Sequence, residues 1–308
     1  MTRFDVLAVG EAMVLLTPDP PGRLRAAAEL RVEVAGAESN VACQLAALGV
    51  RAAFASRVGD DPFGAVITDR LTGRDVTCLV ETDPARRTAV FFKDPEPQGT
   101  QVFYYRDGSA AAAMDAEFFA RLPAARVVHL TGITPALSPT CAELVRTVLK
   151  QKGEATVTFD VNHRAKLWPV EQAGPVLRDL ADAADVVFVG LDEAQRLWGV
   201  STADDVRELL PQAGTVVVKD GAVSAVSFTA AGRAEVPTPV VDVLEPVGAG
   251  DAFAAGYLFG LLRDAPEELR LSLGHQVAGA ALRSPGDVGD LPPVGDLLRN
   301  AYNHLEIS

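Results

Sequence analysis

Short strand-like segments alternate with helical patterns from residue 126 onward, and this alternation constrains the fold more than any other feature. Segments rich in Val and Thr are predicted as strands at 127–130, 155–160, 186–189 and 215–219. Helical patterns separate them at 139–150, 170–182 and 192–198. Strands that alternate with helices imply an α/β fold with a mostly parallel sheet and helices on both faces.

The N-terminal part follows the same rhythm. The pattern predicts strands at 4–9 and 52–58 and helices at 39–48 and 62–72. Gly49 and Gly73 end these helices, and Pro62 suits a first helical turn. Ligands of such sheets bind beyond the carboxyl ends of the strands, so the residues after each strand are candidates. These are Gly10, Gly132, 160–164, 190–193 and 219–221.

The segment 87–106 departs from this rhythm. Two apolar segments, 89–92 and 102–105, flank the polar segment 94–99, which predicts a β-hairpin with a long polar tip. We interpret the hairpin as part of a small β lid, with an ordinary edge hairpin as the alternative. No linker divides the chain. We therefore expect one α/β domain over 1–308, with a lid from segments near 11–35 and 87–107.

The composition limits the partners and the cellular location that we expect for the chain. The chain has 308 residues, 48% of them hydrophobic, and a net charge of −13, which argues against nucleic acid as a partner. Cys43, Cys78 and Cys141 show no metal spacing and indicate a reducing, cytoplasmic location. The apolar run at 4–9 is broken by Glu11, so we expect neither a signal peptide nor a membrane span.

Two glycines closely precede an acidic residue at the N-terminus of an apolar helix, which we predict to extend to about Leu262. The segment is Gly248, Ala249, Gly250 and Asp251. Free backbone N–H groups and the positive end of the helix dipole favour an anion there. Asp251 is placed to accept a proton from a hydroxyl that attacks this anion, as in phosphoryl transfer.

Two other motif interpretations of this segment lack required residues, and a purely structural interpretation stays open. A dinucleotide fingerprint needs a third glycine where Phe253 stands, and a Walker A loop needs a Lys-Ser/Thr pair that is missing. A tight turn with Asp251 as a helix cap is the purely structural alternative.

A second glycine-bearing segment opens the helix predicted at 39–48. Gly36 and Ala37 allow close approach of backbone to a ligand. Asn40 offers an amide donor and acceptor to a sugar hydroxyl, with a helix cap as the alternative.

These two segments together resemble the signatures of a known family. The segment 36–59 is similar to the N-terminal signature of the ribokinase-like (PfkB) sugar kinases, and 246–258 resembles their C-terminal signature. The resemblance covers nearly the whole chain. It implies a ribokinase-like, Rossmann-type sheet with a small β lid, ATP as phosphoryl donor, Mg²⁺, and Asp251 as the base.

The middle of the chain resembles the 2-keto-3-deoxygluconate kinases within this family. The segments that carry the resemblance are 10–13, 102–110, 130–138 and 160–168. A sugar acid needs a cation, and Arg106 and Arg164 are suitable because an Arg binds a carboxylate with two parallel hydrogen bonds. Tyr104 and Tyr105 offer ring surface and hydroxyls, and because strand residues alternate faces we expect only one to face the sugar. Lid packing or a subunit interface is the alternative for this pair.

The resemblance also implies which residues bind the nucleotide. It implies contacts from Asn162 and Arg164, and Mg²⁺ reached through water by Glu193. Lys219, Gly221 and Ser224 resemble the family's Lys-x-Gly-x-x-Gly nucleotide turn, with Ser224 in place of the last glycine. Asp287 is implied at the sugar end.

Three positions depart from the family pattern. Gly190 stands where the family often has Asn, three residues before Glu193. Phe91 replaces a Tyr of the first lid strand, and His163, which we interpret as structural, replaces another Tyr.

The sequence therefore predicts ATP-dependent phosphorylation of 2-keto-3-deoxygluconate at its terminal hydroxyl, by an enzyme that pairs through its lid into a homo-oligomer. A kinase of a neutral sugar such as ribose or fructose, a non-catalytic sugar sensor, and a nicotinamide-dependent dehydrogenase stay open as alternatives. Gluconate-type and galactonate-type substrates are not separated at this stage.

Overall fold

The computed structural model describes residues 4–244, 247–284, 286 and 288–307, and within these ranges it contains thirteen strands and eleven helices. The strands are β1 (Phe4–Val9), β2 (Met13–Pro18), β3 (Leu30–Ala35), β4 (Ala52–Gly59), β5 (Thr77–Asp83), β6 (Val90–Glu96), β7 (Gly99–Tyr105), β8 (Ala125–Thr131), β9 (Thr156–Asp160), β10 (Val186–Gly190), β11 (Thr215–Asp220), β12 (Ser224–Thr229) and β13 (Gly232–Pro237). The helices are α1 (Ala37–Ala47), α2 (Pro62–Thr72), α3 (Ala116–Ala120), α4 (Thr134–Leu137), α5 (Pro139–Lys150), α6 (Val170–Asp182), α7 (Leu191–Trp198), α8 (Ala203–Leu209), α9 (Ala249–Leu261), α10 (Glu267–Leu282) and α11 (Val294–Ile307).

The main sheet has the order β13-β12-β11-β10-β9-β8-β1-β4-β5. Neighbouring strands from β11 to β5 are parallel, whereas β12 and β13 add antiparallel pairs at one edge. The predicted mixed α/β fold with a mostly parallel sheet is confirmed. Because the parallel strands point the same way, their carboxyl ends meet along one edge of the sheet.

Helices cover both faces of this sheet. Alternate residues of β1 show the arrangement, since Val6 and Ala8 join the core under α1, α2, α9 and α10. Leu7 and Val9 join the core under α5, α6, α7 and α8. The period of two along a strand sends neighbours to opposite faces, so a strand buried on both sides is apolar throughout.

Four strands form a second, smaller sheet with the order β3-β2-β6-β7. Its segments are those from which the sequence predicted a lid. Met13, Leu15 and Phe91 pack on the face that looks toward the carboxyl ends of the main strands, with Val102 against them. The opposite face contributes Val14 and Leu16 to the main core.

The hairpin of this sheet is longer than its pattern indicated. The predicted polar tip at 94–99 is wrong, because β6 continues to Glu96 and β7 begins at Gly99. Asp94 is only 7% exposed. The Arg23 guanidinium donates two bonds to it, at 3.0 and 3.1 Å, and the amide of Leu24 donates a third at 2.8 Å. A paired carboxylate therefore tolerates a buried strand position that looked like a turn.

Helix α9 is apolar around its whole circumference and passes through the core. A Cβ on Gly256 would lie 2.4 Å from the carbonyl oxygen of Leu273 and 2.9 Å from the Cα of Gly274. This glycine therefore allows α9 and α10 to approach closely. No helix among the described residues has the length and apolar character needed to span a membrane.

We expect Gly256→Ala to lower the free energy of unfolding by about 1–3 kcal/mol, because the two helix backbones must separate. Urea denaturation would measure this. Gly295→Ala is the matched control, since a Cβ on Gly295 of α11 meets nothing within 4 Å. A Gly256→Ala protein as stable as this control would contradict the close packing of α9 on α10.

Candidate active site

A cavity of about 550 Å³ lies at the carboxyl ends of β9, β10 and β11, beneath the small sheet. It brings together most of the residues that the sequence singled out. These are Gly36, Ala37, Asn40, Tyr104, Arg106, Asn162, Arg164, Glu193, Lys219, Gly248, Gly250 and Asp251. Residues far apart in the chain thus line one cavity, as the position of ligands in parallel α/β sheets leads us to expect.

The first turn of α9 forms one wall of the cavity. Gly248 is the N-cap residue, with φ of 83°, a left-handed conformation that favours glycine. Helix α9 begins at Ala249, so the amides of this turn lack partners within the helix. Gly250 adds no side chain between the turn and the cavity. The turn is therefore built to hold an anion.

Asp251 is the acid of this turn and is only 7% exposed. The side-chain amide of Asn40 donates to one carboxylate oxygen at 2.9 Å, and that of Asn162 donates to the other at 3.4 Å. Neither acid nor amide caps its own helix, because the N-caps are Gly248 and Gly36. The capping alternatives for Asp251 and Asn40 are therefore wrong.

Burial raises the pKa of Asp251 to about 7, outweighing the bond from Asn40, and the nearby Asp160 carboxylate acts in the same direction. A carboxyl group with a pKa near neutral is suited to exchange a proton with a bound ligand.

Asn40 reaches Asp251 because α1 begins against the β1–β2 connection. A Cβ on Gly36 would lie 2.4 Å from the carbonyl oxygen of Glu11, so only glycine permits this approach. Asn40 then lies one turn into α1, on the wall that faces α9.

Three charged groups, Asp160, Arg164 and Lys219, act electrostatically on Asp251, and Glu193 acts in turn on Lys219. The Lys219 ammonium donates to Asp160 at 3.0 Å. Burial first, and the Asp160 carboxylate second, raise the pKa of Glu193 to about 7. Burial opposes the charge of Lys219, but the carboxylates of Asp160 and Glu193 outweigh it and raise the pKa of the lysine.

These groups fit a hydrated divalent cation better than a directly bound one. The amides of His163 and Gly190 donate to the two carboxylate oxygens of Glu193, the latter at 3.3 Å. The described residues hold no group of three or more His, Cys, Asp or Glu placed to bind a metal. Mg²⁺ keeps several waters and takes one or two protein carboxylates together with substrate phosphates, so Glu193 fits that role.

Arg106 also lines the cavity, where it follows β7 and pairs with Glu11. The hydroxyl of Ser109 also donates to Glu11, at 2.7 Å. Both charged groups are buried, and the Nε of Arg106 finds no hydrogen-bond partner among the described residues. A buried guanidinium N–H in a cavity wall needs an acceptor, and a bound ligand can supply one.

Tyr104 and Tyr105, at the end of β7, face opposite ways, as strand alternation predicted. Tyr104 lines the cavity and stacks on Phe91, with ring centroids 5.2 Å apart. Tyr105 lies on the other face of the sheet, 66% exposed, with an edge contact to Phe92. Only Tyr104 is therefore placed to touch a ligand in this cavity.

Three other predicted residues do not line the cavity, and a fourth lies outside the described residues. Ala249 lies in the first turn of α9, and Gly221 has φ of 47° in the β11–β12 turn. Ser224 starts β12 and donates to Glu235 at 2.9 Å, so its hydroxyl is already engaged. Asp287, like Pro246 of the α9 signature, lies outside the described residues.

Two contributors were not assigned by the sequence patterns. Glu11 orients Arg106, and its signal was a charge at the carboxyl end of an apolar strand. Lys93 lines the cavity from β6, directly before the segment 94–99 that was interpreted as a polar tip. The ring of His163 contacts the carbonyl of Trp168 at 3.0 Å, and the residue also lines the cavity, so its structural role stays a prediction.

The fold and this cavity define a class of α/β proteins in which a helix N-terminus suited to an anion lies beside a carboxyl group whose pKa burial raises. A model of the pfkB family carbohydrate kinases matches residues 3–293. The chain therefore belongs to the pfkB family of carbohydrate kinases.

Individual relatives cover nearly the whole chain. It is 33% identical over 302 residues to the 2-dehydro-3-deoxygluconokinase of Bacillus subtilis, covering 94% of this chain and 93% of the relative. It is 36% identical over 290 residues to the 2-dehydro-3-deoxygluconokinase of Thermoproteus tenax, covering 91% and 88%. Among solved structures, a PfkB protein from Polaromonas sp. JS666 has a TM-score of 0.85 and 34% identity, covering 96% of this chain and 99% of that one.

Proposed function

We propose that this protein transfers the γ-phosphoryl group of ATP to the terminal hydroxyl of 2-keto-3-deoxygluconate, forming 2-keto-3-deoxy-6-phosphogluconate. The substrate is the sugar acid that gives the two relatives their name. The observation that carries the proposal is one cavity lined by Asp251, the first turn of α9 and the buried Arg106. Such a cavity matches a ligand with a reactive hydroxyl and a carboxylate.

The chemical step uses groups that the structure brings together. The substrate hydroxyl loses its proton to Asp251 as its oxygen bonds to the γ-phosphorus, and the bond from that phosphorus to the β,γ-bridging oxygen breaks to release ADP. Amides of Gly248, Ala249 and Gly250 stabilise the transferring phosphoryl group. Asn40 and Asn162 hold the carboxylate in position. Mg²⁺, reached by Glu193 through water, would neutralise phosphate charge.

The nucleotide extends from this turn toward Lys219 and the β11–β12 connection. Gly221 and Ser224 would contribute backbone rather than side chains there, since the Ser224 hydroxyl already bonds Glu235. Arg164 is exposed at the mouth of the cavity and serves either phosphate or sugar. The lid, with Tyr104 facing inward, excludes water when the sugar is bound.

A substrate panel tests this function. ADP formation would be measured with ATP and Mg²⁺ against 2-keto-3-deoxygluconate, 2-keto-3-deoxygalactonate, gluconate, ribose and fructose. We expect the highest kcat/KM with one or both keto-deoxy acids. Preference for a neutral sugar would replace this substrate assignment, and absence of turnover with every sugar would favour the sensor alternative.

The pH dependence of turnover follows from the base. Asp251 acts only when it is ionised, and burial raises its pKa to about 7. We therefore expect kcat to fall as the pH drops through 7, by about tenfold per unit on the acidic side. Glu193 titrates in the same region, so the acidic limb reports the two carboxyl groups together. A kcat that is flat down to pH 5 would contradict Asp251 as the base.

We also propose that two subunits pair through their lids. Strands β3 and β7 are the edges of the small sheet, and an open edge invites pairing with another chain. Phe103 and Tyr105 are 42% and 66% exposed on β7. We expect Phe103→Asp/Tyr105→Asp to convert an oligomer into monomers, measured by light scattering during size-exclusion chromatography. Tyr302→Asp, at an exposed site on α11, is the control. A wild-type protein that is monomeric at assay concentration would end this part of the proposal.

The proposed setting is the cytoplasm. Cys43, Cys78 and Cys141 are free thiols, the first and last of them buried. Burial raises the pKa of Cys43 and of Cys141 to about 11, so these thiols are unreactive at neutral pH. Free thiols support a reducing compartment, where ATP is also abundant.

A further inference from the structure

The Lys219 side chain extends away from the β11–β12 turn, to which the sequence assigned this residue. Its side chain points into the cavity rather than along the β11–β12 connection, and its Nζ donates to Asp160 at 3.0 Å. That Nζ also lies 3.5 Å from the point where a Cβ of Gly250 would be. The ammonium is therefore directly beside the first turn of α9, where the anion is expected.

Charges on every surrounding element keep this cation in place. Asp160 at the end of β9 is its bonded partner, while Glu193 on α7 and Asp251 on α9 attract it from a greater distance. Arg164, on the loop after β9, is exposed and also attracts the Asp251 carboxylate, and Arg106 is paired with Glu11. Lys219 is the less exposed of the two cations that act on Asp251, and its Nζ lies beside the α9 turn.

Gly250 keeps this cation accessible. Its backbone is helical, so alanine would fit the helix and even favour it. A methyl group at this position would lie between the turn amides and the ammonium, 3.5 Å from Nζ. Glycine here leaves the amides and the cation open to one anion.

We propose that the Lys219 side chain is a catalytic residue that donates to the oxygens of the transferring phosphoryl group, with Asp160 orienting its ammonium. A lysine ammonium is a compact point charge with several donors, which allows it to bond Asp160 and a phosphoryl oxygen together. In a water-poor cavity, such a charge stabilises the negative oxygens of the transfer. This inference rests on the proposed kinase function but not on the identity of the sugar.

Nucleotide binding without sugar tests it directly. Calorimetry with Mg²⁺ would compare ADP with a non-hydrolysable ATP analogue for the wild type and Lys219→Met. We expect the variant to lose about 10- to 100-fold in affinity for the analogue and less than threefold for ADP, because only the analogue carries the γ-phosphoryl group. Lys166→Met, which removes an exposed lysine that does not line this cavity and donates to the carbonyl of Val102 at 3.0 Å, should change neither value.

Removing Lys219 alone leaves the Asp160 carboxylate buried without its partner. The double variant Lys219→Met/Asp160→Asn avoids this and should show the same selective loss. Equal losses for ADP and the analogue, or no loss for either, in a folded double variant would overturn the inference. Because sugar is absent, a failed substrate panel and a failed Lys219 assignment would be seen in different experiments.

Discussion

Asp251→Asn should lower kcat by about 10²- to 10⁴-fold while leaving the KM for the sugar and the affinity for ADP within a few-fold of wild type. The amide keeps the size of the carboxyl group and can still bond Asn40, but it cannot take the hydroxyl proton. The α9 amides are unchanged, so binding of phosphate groups persists. Initial rates of ADP formation, with calorimetry for ADP, would measure both quantities.

The stability of the Asp251→Asn variant shows whether its loss of kcat comes from misfolding. The pKa of Asp251 is raised in the folded state, so the folded protein binds this proton more tightly than the unfolded chain does. Its contribution to stability is complete at low pH and is lost as the pH rises through about 7. Asparagine carries no charge, so the variant should be at least as stable as wild type at pH 8.

Asp192→Asn is the matched control, because Asp192 is an exposed acid of the same cavity that pairs with Arg196 at 2.8 Å. This control should keep its turnover. An Asp251→Asn protein that retained more than a tenth of the wild-type kcat would remove Asp251 from the role of base.

The sequence allowed the parallel sheet to be predicted because its strands are buried on both faces. Helices α5 and α6 begin and end where their patterns indicated, since both are amphipathic and start at Pro139 and Val170. The antiparallel edge strands β12 and β13 were not anticipated. They pair with each other and with β11. Pairing of this kind depends on neighbours in the sheet, which a local pattern does not reveal.

The site shows the same division between local and distant information. The glycines of the α9 turn could be recognised from the sequence because their role depends only on the conformation of their own backbone. The bond between Asn40 and Asp251 joins residues 211 positions apart, so a helix cap was an equally reasonable local interpretation. Ser224 illustrates the converse, because its partner Glu235 comes from the next strand and diverts the hydroxyl from the nucleotide side. In both cases a tertiary contact determines the role of the side chain, and the local sequence does not reveal that contact.

Substitution of Arg106 gives the second large expected effect. Arg106→Lys should lower kcat/KM for the sugar acid by about 10- to 100-fold, because a charge-assisted hydrogen bond contributes about 1.5–3 kcal/mol. Lysine preserves a positive charge for the buried Glu11, so the lid keeps its ion pair. It lacks Nε and the planar fork, and Nε is the donor that the protein leaves for a ligand.

A neutral sugar provides the internal comparison. The Arg106→Lys protein should lose less than threefold in kcat/KM with whichever neutral sugar the wild type accepts best, since no carboxylate contact exists to be lost. Arg164→Lys, tested alongside, should affect acids and neutral sugars equally if Arg164 serves the phosphate. Equal losses with both substrate types in Arg106→Lys would mean that Arg106 supports the lid rather than the carboxylate. The pairing with Glu11 would then be its whole function, and selectivity for acids would have to come from another cation of the cavity, with Lys93 on β6 as the next to test.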